Sequence, residues 1–318
     1  MTPLDEGFFL APEWLPVKRY WLAWPEAPPG LDEQAVESAR LSLAELARGL
    51  AALGPVSVLA NPAQVVDVSL YCGAGVGAVA IAHDHCCMRA VGPGFLIGPD
   101  GGRAGLRWRG GAVAGRLLDL LSLRQFACPL PLDGFAIDVD GEGTCLAPQA
   151  LLRAMSRADA EAMLAEWLGA RVVIWLETGL EGEPPPGRLV SVARFLRPGL
   201  VMALVGGESD DPNLVPLEAN RDILGRSRDA AGRKLELVEA PQPRRRVGPD
   251  GRRVPMSYTD AFMGNAAIML PAFDDHRDQT VWDNVVAALD ANVFSVPAWD
   301  FATTAGAGLG SLVLAQPD

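Results

Sequence analysis

Five potential metal ligands are consecutive in the sequence: His83, Asp84, His85, Cys86 and Cys87. Imidazole, carboxylate and thiolate groups are the side chains with which proteins bind zinc and related ions. Neighbouring residues of a strand point alternately to opposite faces, however, so at most half of these groups could converge on one ion. The sequence holds no second cluster at zinc spacing. We therefore interpret the segment as the packed end of a strand and predict no metal site.

A glycine-rich segment, residues 73–78, loosely matches the fingerprint of dinucleotide-binding loops, with Ala78 in place of the third glycine. We predict a strand before it. The fingerprint requires a helix directly afterwards, because the helix N-terminus receives the pyrophosphate. Here residues 78–82 are apolar and predict a short strand instead. A tight turn is the better interpretation, and we predict no cofactor.

Ser311 follows two closely spaced glycines, Gly308 and Gly310, which invites comparison with the nucleophilic serine of hydrolases. In the serine-hydrolase elbow a second glycine stands two residues after the serine. Val313 occupies that position here. The elbow pattern is therefore absent, and Ser311 alone does not predict this class of enzyme.

Composition sets broad limits on the protein. With 318 residues, 49% of them hydrophobic, the chain can bury a large core. Its net charge of -12 repels phosphate backbones and argues against a nucleic-acid partner. It holds no uninterrupted run of eighteen apolar residues and no leader-like start, so we predict neither a membrane span nor export. Five cysteines without zinc-ribbon spacing fit reduced thiols in the cytoplasm.

A helix, a tight turn and a strand recur as a unit along the chain. In the first copy, apolar residues between Asp32 and Gly54 are spaced by three and four, as on a buried helical face; these two residues can cap the helix, and a strand follows at 56–60. The same pattern predicts helices at 156–169 and 278–289, followed by strands at 172–176 and 293–296. The repetition indicates small α/β modules.

Hairpins and further strands are predicted between these units. Turn residues predict hairpins about residues 99–101, after a strand at 95–97, and about 140–143, after a strand at 136–139. Further strands are predicted at 200–205, 234–239 and 266–270. Since no linker is long enough to separate domains, we predict one α/β domain over residues 1–318.

Five arginines crowd a short segment between Pro241 and Pro255: Arg244, Arg245, Arg246, Arg252 and Arg253. They surround a predicted turn at Pro249-Asp250-Gly251. One interpretation is a solvated hairpin loop, since charge runs usually lie on the surface. The alternative is a docking surface for an acidic partner.

Short motifs in a single order carry a resemblance over nearly the whole chain. They are Glu13-Trp14-Leu15-Pro16, Trp21-Leu22-Ala23-Trp24-Pro25, Met88-Arg89 with Gly92-Pro93, Asp140-Gly141-Glu142-Gly143, Ala193-Arg194-Phe195, Ser257-Tyr258 and Pro271-Ala272-Phe273. In this order they resemble the agmatine deiminases and bacterial-type peptidyl-arginine deiminases. The resemblance implies a pentein fold, in which five ββαβ modules form a pseudo-fivefold α/β propeller.

The resemblance also implies a chemistry. In that family, carboxylates hold a guanidinium by charge-assisted hydrogen bonds while a cysteine thiolate attacks its central carbon. A histidine moves the protons, and the products are a ureido compound and ammonia.

This sequence departs from the family at each working position. Ser311 stands in place of the cysteine, and Arg188 in place of the histidine. The other positions are Val190 and Ala90, each for a carboxylate, Cys87 for an aromatic residue, and Asp133 for a glutamate. A hydroxyl is a weaker nucleophile than a thiolate, and arginine cannot shuttle protons near neutral pH. We therefore expect a noncatalytic member that acts as a partner of an active paralogue, as a regulatory or binding subunit, or within a homo-oligomer.

The vestigial pocket of Cys87, Asp133, Arg188 and Ser311 has two interpretations. An arginine where a cationic substrate would lie repels it, so the pocket could bind a small anion instead. Alternatively, Arg188 fills the site by pairing with Asp133.

Two enzymatic hypotheses stay open beside the noncatalytic one. The first is a hydrolase of the guanidine-modifying family that acts on agmatine or a related substrate with altered chemistry, using Ser311. The second is an ordinary agmatine deiminase with a different alignment. Its nucleophile would then be Cys86, Cys87 or Cys145, and its base His83 or His85.

Overall fold

The computed structural model describes residues 1–26, 32–184, 187–248, 251–304, 306 and 308–318. Its strands are β1 Phe9–Leu10, β2 Val17–Ala23, β3 Val56–Ala60, β4 Val76–Ala80, β5 Gly94–Ile97, β6 Arg103–Arg107, β7 Arg124–Ala127, β8 Asp138–Val139, β9 Thr144–Pro148, β10 Val172–Leu176, β11 Ala193–Arg197, β12 Leu200–Val205, β13 Glu236–Pro241, β14 Phe262–Gly264, β15 Ala267–Ala272, β16 Asn292–Pro297 and β17 Leu314–Pro317. Its helices are α1 Glu33–Ala51, α2 Val65–Cys72, α3 Met88–Val91, α4 Ala112–Leu120, α5 Arg157–Leu168, α6 Leu214–Arg226, α7 Asp278–Ala288, α8 Trp299–Thr304 and α9 Leu309–Leu312.

These strands form five sheets that follow one plan. In four of them an antiparallel hairpin leads through a helix to a third, parallel strand: β5-β6-α4-β7, β8-β9-α5-β10, β11-β12-α6-β13 and β14-β15-α7-β16. A helix precedes the third strand of each module, because two parallel strands of one sheet must be joined by a long crossover connection. The five ββαβ modules of the predicted pentein fold are confirmed.

The fifth sheet joins the two ends of the chain. Strand β17 pairs antiparallel with β2, and β2 continues through α1 to the parallel strand β3. Strand β4 extends this sheet at its outer edge. The last strand therefore completes the module that the first long strand begins, and so closes the ring of modules.

The predicted helix starts follow from local capping. The Asp32 carboxylate accepts a hydrogen bond from the Gln34 backbone N–H at the start of α1, and the Ser156 hydroxyl accepts one from Asp159 N–H at the start of α5. Helix α5 ends at Gly169 in the left-handed region, at φ 77°. Helix α1 ends at Ala51, before the predicted cap at Gly54, and its predicted apolar face is buried.

The segment before Gly73 is helical, and our expectation of a strand there is wrong. Helix α2 occupies residues 65–72, a run too short for its periodicity to separate helix from strand. The turn after it leads into strand β4, which starts at Val76 and runs parallel to β3. No helix follows the glycines directly, so this segment lacks the geometry of a dinucleotide loop.

Residues 83–87 lie in the connection after β4 rather than on a strand, since β4 ends at Ala80. Across the described ranges, no three His, Cys, Asp or Glu side chains are grouped so that they could hold a metal ion. None of the helices in the described part of the chain is both long and apolar enough to cross a membrane.

The clustered arginines make contacts with acceptors inside the protein. Arg244 pairs with Asp275 at 3.1 Å, Arg245 with Glu181 at 3.1 Å, and Arg253 with Asp211 at 2.7 Å and with Glu181 at 2.8 Å. Arg246 donates to the Asp274 carbonyl at 2.7 Å. These contacts favour a structural surface loop over a docking surface. Of the predicted turn, Pro249 and Asp250 lie outside the described residues.

Candidate active site

The glycines before Ser311 permit a very close approach between two segments. A Cβ atom on Gly308 would lie 2.6 Å from the Asp260 carboxylate, and one on Gly310 would lie 2.0 Å from the Ala261 carbonyl oxygen. Such distances exclude any side chain at either position. The backbone therefore passes tightly over residues 260–261 and begins helix α9, which contains Ser311.

Ser311 and Asp260 form a buried hydroxyl–carboxylate pair. The Ser311 Oγ donates to Asp260 Oδ2 at 2.8 Å and is 3.1 Å from Oδ1. The same carboxylate accepts the Gly308 backbone N–H at 2.8 Å. Ser311 is 0% and Asp260 1% exposed, so neither group is hydrated as in free solution. A carboxylate that accepts a hydrogen bond from a hydroxyl is positioned to take the hydroxyl proton as a general base.

Arg188 places its guanidinium against this pair. Its Nη1 donates to Asp260 Oδ2 at 3.2 Å and lies 3.5 Å from Ser311 Oγ. Its Nε donates to Glu183 Oε1 at 3.0 Å, and its guanidinium lies over the Phe135 ring at 5.8 Å from the ring centroid. Burial alone would lower the pKa of Arg188, but Glu183 and Asp260 outweigh it and the net pKa is raised. The Arg188 side chain is therefore permanently charged.

The predicted pairing of Arg188 with Asp133 is wrong. The Asp133 carboxylate instead accepts the Phe135 backbone N–H at 2.9 Å, a contact within its own turn. Burial raises the pKa of Asp133 although that hydrogen bond opposes it. Because two other carboxylates balance the charge of Arg188, the contacts favour internal pairing over the anion-binding alternative.

Positions 90 and 190 carry no charge into the site. Ala90 is half-buried against the apolar cluster that includes Leu309 and Leu312. Val190 is 1% exposed, and its carbonyl oxygen accepts the Thr259 hydroxyl at 2.8 Å. The carboxylates of the site come from elsewhere in the sequence.

Glu183 and Asp260 are the site residues that sequence reasoning missed. Asp260 lies two residues before the start of β14, and the Glu183 side chain is 0% exposed. One signal was available, because Asp260 directly precedes the apolar run from Ala261 to Met263. A carboxylate next to such a run is buried, and a buried carboxylate needs a cation or several donors.

Of the alternative nucleophiles, Cys87 lies beside the charged groups of this site. Cys87 is 1% exposed, and the charges of Arg188 and Asp260 are close enough to influence the pKa of its thiol. A hydrogen bond between the neighbouring thiols raises the pKa of Cys87 and lowers that of Cys86. Cys145 belongs to a different core cluster, where burial raises its pKa. The raised pKa of Cys87 disfavours the thiolate, which is the nucleophilic form of cysteine.

The two histidines of that alternative do not reach Ser311 through any described contact. His83 Nε2 lies 3.2 Å from the Leu59 carbonyl oxygen. His85 Nδ1 accepts the Cys87 backbone N–H at 3.0 Å, and burial lowers the pKa of His85. Both imidazole rings therefore contact backbone groups in and next to the 83–87 connection.

A charged cluster beside the site joins several modules. The Glu13 carboxylate accepts hydrogen bonds from both Arg89 and Arg194. Asp138 lies 3.2 Å from Arg89 Nη2 and accepts the Phe195 backbone N–H at 2.6 Å. Arg194 is 0% exposed, and burial lowers its pKa. The opening, Met-Arg and Ala-Arg-Phe motifs of the sequence therefore meet in one ion network.

Comparison with known proteins defines the family. Residues 9–308 match the profile of the Porphyromonas-type peptidyl-arginine deiminases. The chain belongs to this family. A Streptomyces avermitilis protein provisionally named an agmatine deiminase is 32% identical over 310 residues, which cover 88% of this chain and 88% of that protein. The agmatine deiminase of Pseudomonas aeruginosa strain LESB58 is 28% identical over 323 residues, covering 87% and 86%.

Solved structures agree on the fold of this deiminase family member. An Enterococcus faecalis agmatine deiminase, described as catalysing its reaction, superposes with a TM-score of 0.90. The comparison covers 100% of this chain and 98% of that one at 21% sequence identity. At that identity the likeness establishes the pentein architecture.

The expectation of a noncatalytic protein is overturned by these relatives. Proteins that match this chain over nearly their whole length are named agmatine deiminases, which are C–N hydrolases. The physical reason for the error lies in Asp260 and Glu183. The family motifs show which catalytic groups this sequence has lost. They do not show the carboxylates of Asp260 and Glu183, which other segments bring to the site and one of which accepts the Ser311 hydroxyl.

Proposed function

We propose that this protein is a hydrolase of the guanidine-modifying family that converts agmatine or a related guanidine compound into a ureido product and ammonia. Ser311 is its nucleophile and Asp260 its general base. The observation that carries the proposal is the 2.8 Å hydrogen bond from Ser311 Oγ to Asp260. The sequence resemblance assigns the nucleophile to this same position. Family membership supports hydrolysis of a C–N bond.

In the first half-reaction Ser311 Oγ attacks the central guanidine carbon and gives its proton to Asp260. A bond forms between Oγ and carbon, and the planar cation becomes tetrahedral. Asp260 then passes the proton to the departing nitrogen, and the C–N bond breaks. Ammonia leaves, and an O-linked isouronium remains on Ser311.

In the second half-reaction a water molecule replaces ammonia. Asp260 takes a proton from the water as its oxygen attacks the isouronium carbon, and the C–Oγ bond then breaks. The proton returns to Ser311 Oγ. The carbon keeps the water oxygen, which becomes a ureido carbonyl when its remaining proton passes through solvent to ammonia. One guanidinium ion and one water thus give one ureido compound and one ammonium ion.

Arg188 acts electrostatically on the site before substrate binds. Its guanidinium, 3.2 Å from Asp260, stabilises the ionised form of the carboxylate that serves as the base. It takes no part in proton transfer, because an arginine side chain stays protonated in proteins.

The direct test measures ammonia and ureido product from agmatine with purified protein. We expect both products in equal amounts, and we expect the variant Ser311→Ala to lose about 10³-fold or more in kcat. Ser156→Ala, which removes an exposed capping hydroxyl, is the matched control and should retain full activity. Failure to release ammonia from agmatine, arginine and small alkylguanidines, or full activity in Ser311→Ala, would overturn the proposal.

A further inference from the structure

The site already contains a guanidinium, and it belongs to the protein itself. Arg188 is bonded through Nε to Glu183 and through Nη1 to Asp260, and its face lies on Phe135. Paired carboxylates and an aromatic ring are the groups that bind a guanidinium from solution. The Arg188 Nη1 lies 3.5 Å from Ser311 Oγ, so the bound group sits within reach of the nucleophile.

We infer that Arg188 is a built-in substrate mimic that occupies the guanidinium subsite formed by Glu183, Asp260 and Phe135. The inference rests on the proposed function for the identity of the nucleophile. In the described conformation Ser311 is 0% and Arg188 6% exposed, so no second guanidinium can reach the hydroxyl. Hydrolysis therefore requires the Arg188 side chain to leave the subsite, and the resting protein is self-inhibited.

A cleft beside the site gives the side chain somewhere to go. It has a volume of about 470 Å³, and Glu177, Glu183 and Arg153 are among the residues that line it. Glu183 is thus both the partner of Arg188 and part of the cleft wall. Movement of the Arg188 side chain past Glu183 toward this cleft would carry its charge away from Asp260 and open the subsite.

The energetics of the subsite predict competition between Arg188 and a free ligand. An apparent affinity falls in proportion to the fraction of protein that is in the open state. If the closed state holds nine-tenths or more of the molecules, removal of the side chain strengthens guanidinium binding by about tenfold or more. Removal also leaves Glu183 and Asp260 buried without their cation, which destabilises the protein until a ligand replaces it.

The experiment compares agmatine binding to the unaltered protein and to Arg188→Ala by calorimetry, together with the thermal midpoint in millimolar guanidinium chloride. We expect the variant to bind agmatine about tenfold or more tightly than the unaltered protein. We also expect guanidinium to raise its lowered Tm more than equimolar tetramethylammonium, a cation without N–H donors. Arg197→Ala, which changes an exposed arginine outside both the subsite and the cleft, should behave like the unaltered protein.

Two further variants keep the test decisive. Arg188→Gln fills most of the volume without the charge and repeats the measurement if the alanine variant folds poorly. Adding Glu183→Gln should abolish the gain in affinity. If Arg188→Ala and Arg188→Gln bind agmatine no more tightly than the unaltered protein, the inference is wrong even where ammonia release is observed. Tight binding by these variants, with no ammonia release by any form, upholds the subsite and overturns only the proposed reaction.

Discussion

Asp260→Asn is expected to reduce kcat for ammonia release from agmatine by about 10²–10⁴-fold, the range of a lost general base. An amide of the same shape still contacts Ser311 but cannot accept its proton, and the Ser311 hydroxyl has no other described carboxylate partner. Steady-state ammonia assays at saturating agmatine measure the loss. Arg188 keeps one of its two carboxylates, Glu183, so the variant is expected to fold.

A second hydroxyl–carboxylate contact offers the control. Asp300 accepts the hydroxyls of Ser38 at 2.9 Å and Ser42 at 3.0 Å, between helices α8 and α1. Asp300→Asn should leave kcat unchanged. Because Ser311 and Asp260 act as one unit, the double variant Ser311→Ala with Asp260→Asn should lose no more than Ser311→Ala alone. Losses that multiply in the double variant would show that the two residues do not share a step.

Glu13→Leu is expected to lower the free energy of unfolding by about 3–5 kcal/mol, as when one partner of a buried ion pair is removed. Glu13 bonds both Arg89 and Arg194, and Arg194 is 0% exposed. Arg89 keeps Asp138, whereas Arg194 loses its bonded carboxylate. Urea unfolding followed by tryptophan fluorescence measures the change in midpoint.

An exposed pair supplies the comparison for this prediction. Glu236 lies 3.2 Å from Arg197, with side chains that are 71% and 48% exposed. Solvated pairs of this kind contribute between 0 and about 1 kcal/mol, so Glu236→Leu should change stability little. Equal effects of the two substitutions would mean that the Glu13 network contributes no more than a surface contact.

The repeating modules could be predicted from the sequence because their signals are local. The spacing of apolar residues in α1, the Ser156 cap of α5 and the turn residues at 140–143 each act over a few positions. Strands β3 and β10 occur at their predicted bounds. Helix α2 was missed because eight residues with a weak apolar pattern do not define a period.

The chemistry of the site could be predicted only in part, because its partners are distant in sequence. The positions of Arg188, Ser311 and Cys87 come together as the family motifs imply. Asp260 is 51 residues from Ser311, and no local pattern links the two. The choice of Asp133 as the partner of Arg188 failed for the same reason, since its carboxylate is engaged by its own turn at Phe135.

The site combines two features that oppose each other. In the proposed mechanism the buried pair of Ser311 and Asp260 provides a nucleophile with a base. Arg188 is the cation that its carboxylate partners, Glu183 and Asp260, would otherwise bind from solution. At low agmatine concentration a protein with this arrangement should turn over slowly, because only the fraction in the open state binds the substrate. This expectation separates it from a site that has only lost its catalytic groups.

The most direct test of the account is the covalent state of Ser311 during turnover. We predict that acid quenching with agmatine present, followed by peptide mass analysis, finds an amidino adduct on the peptide that contains Ser311. The adduct should be absent from Ser311→Ala and, since attack is slow without the base, strongly reduced in Asp260→Asn. Ammonia release accompanied by an adduct on Cys87, or by unchanged turnover in Ser311→Ala, would contradict the assignment of Ser311 as the nucleophile.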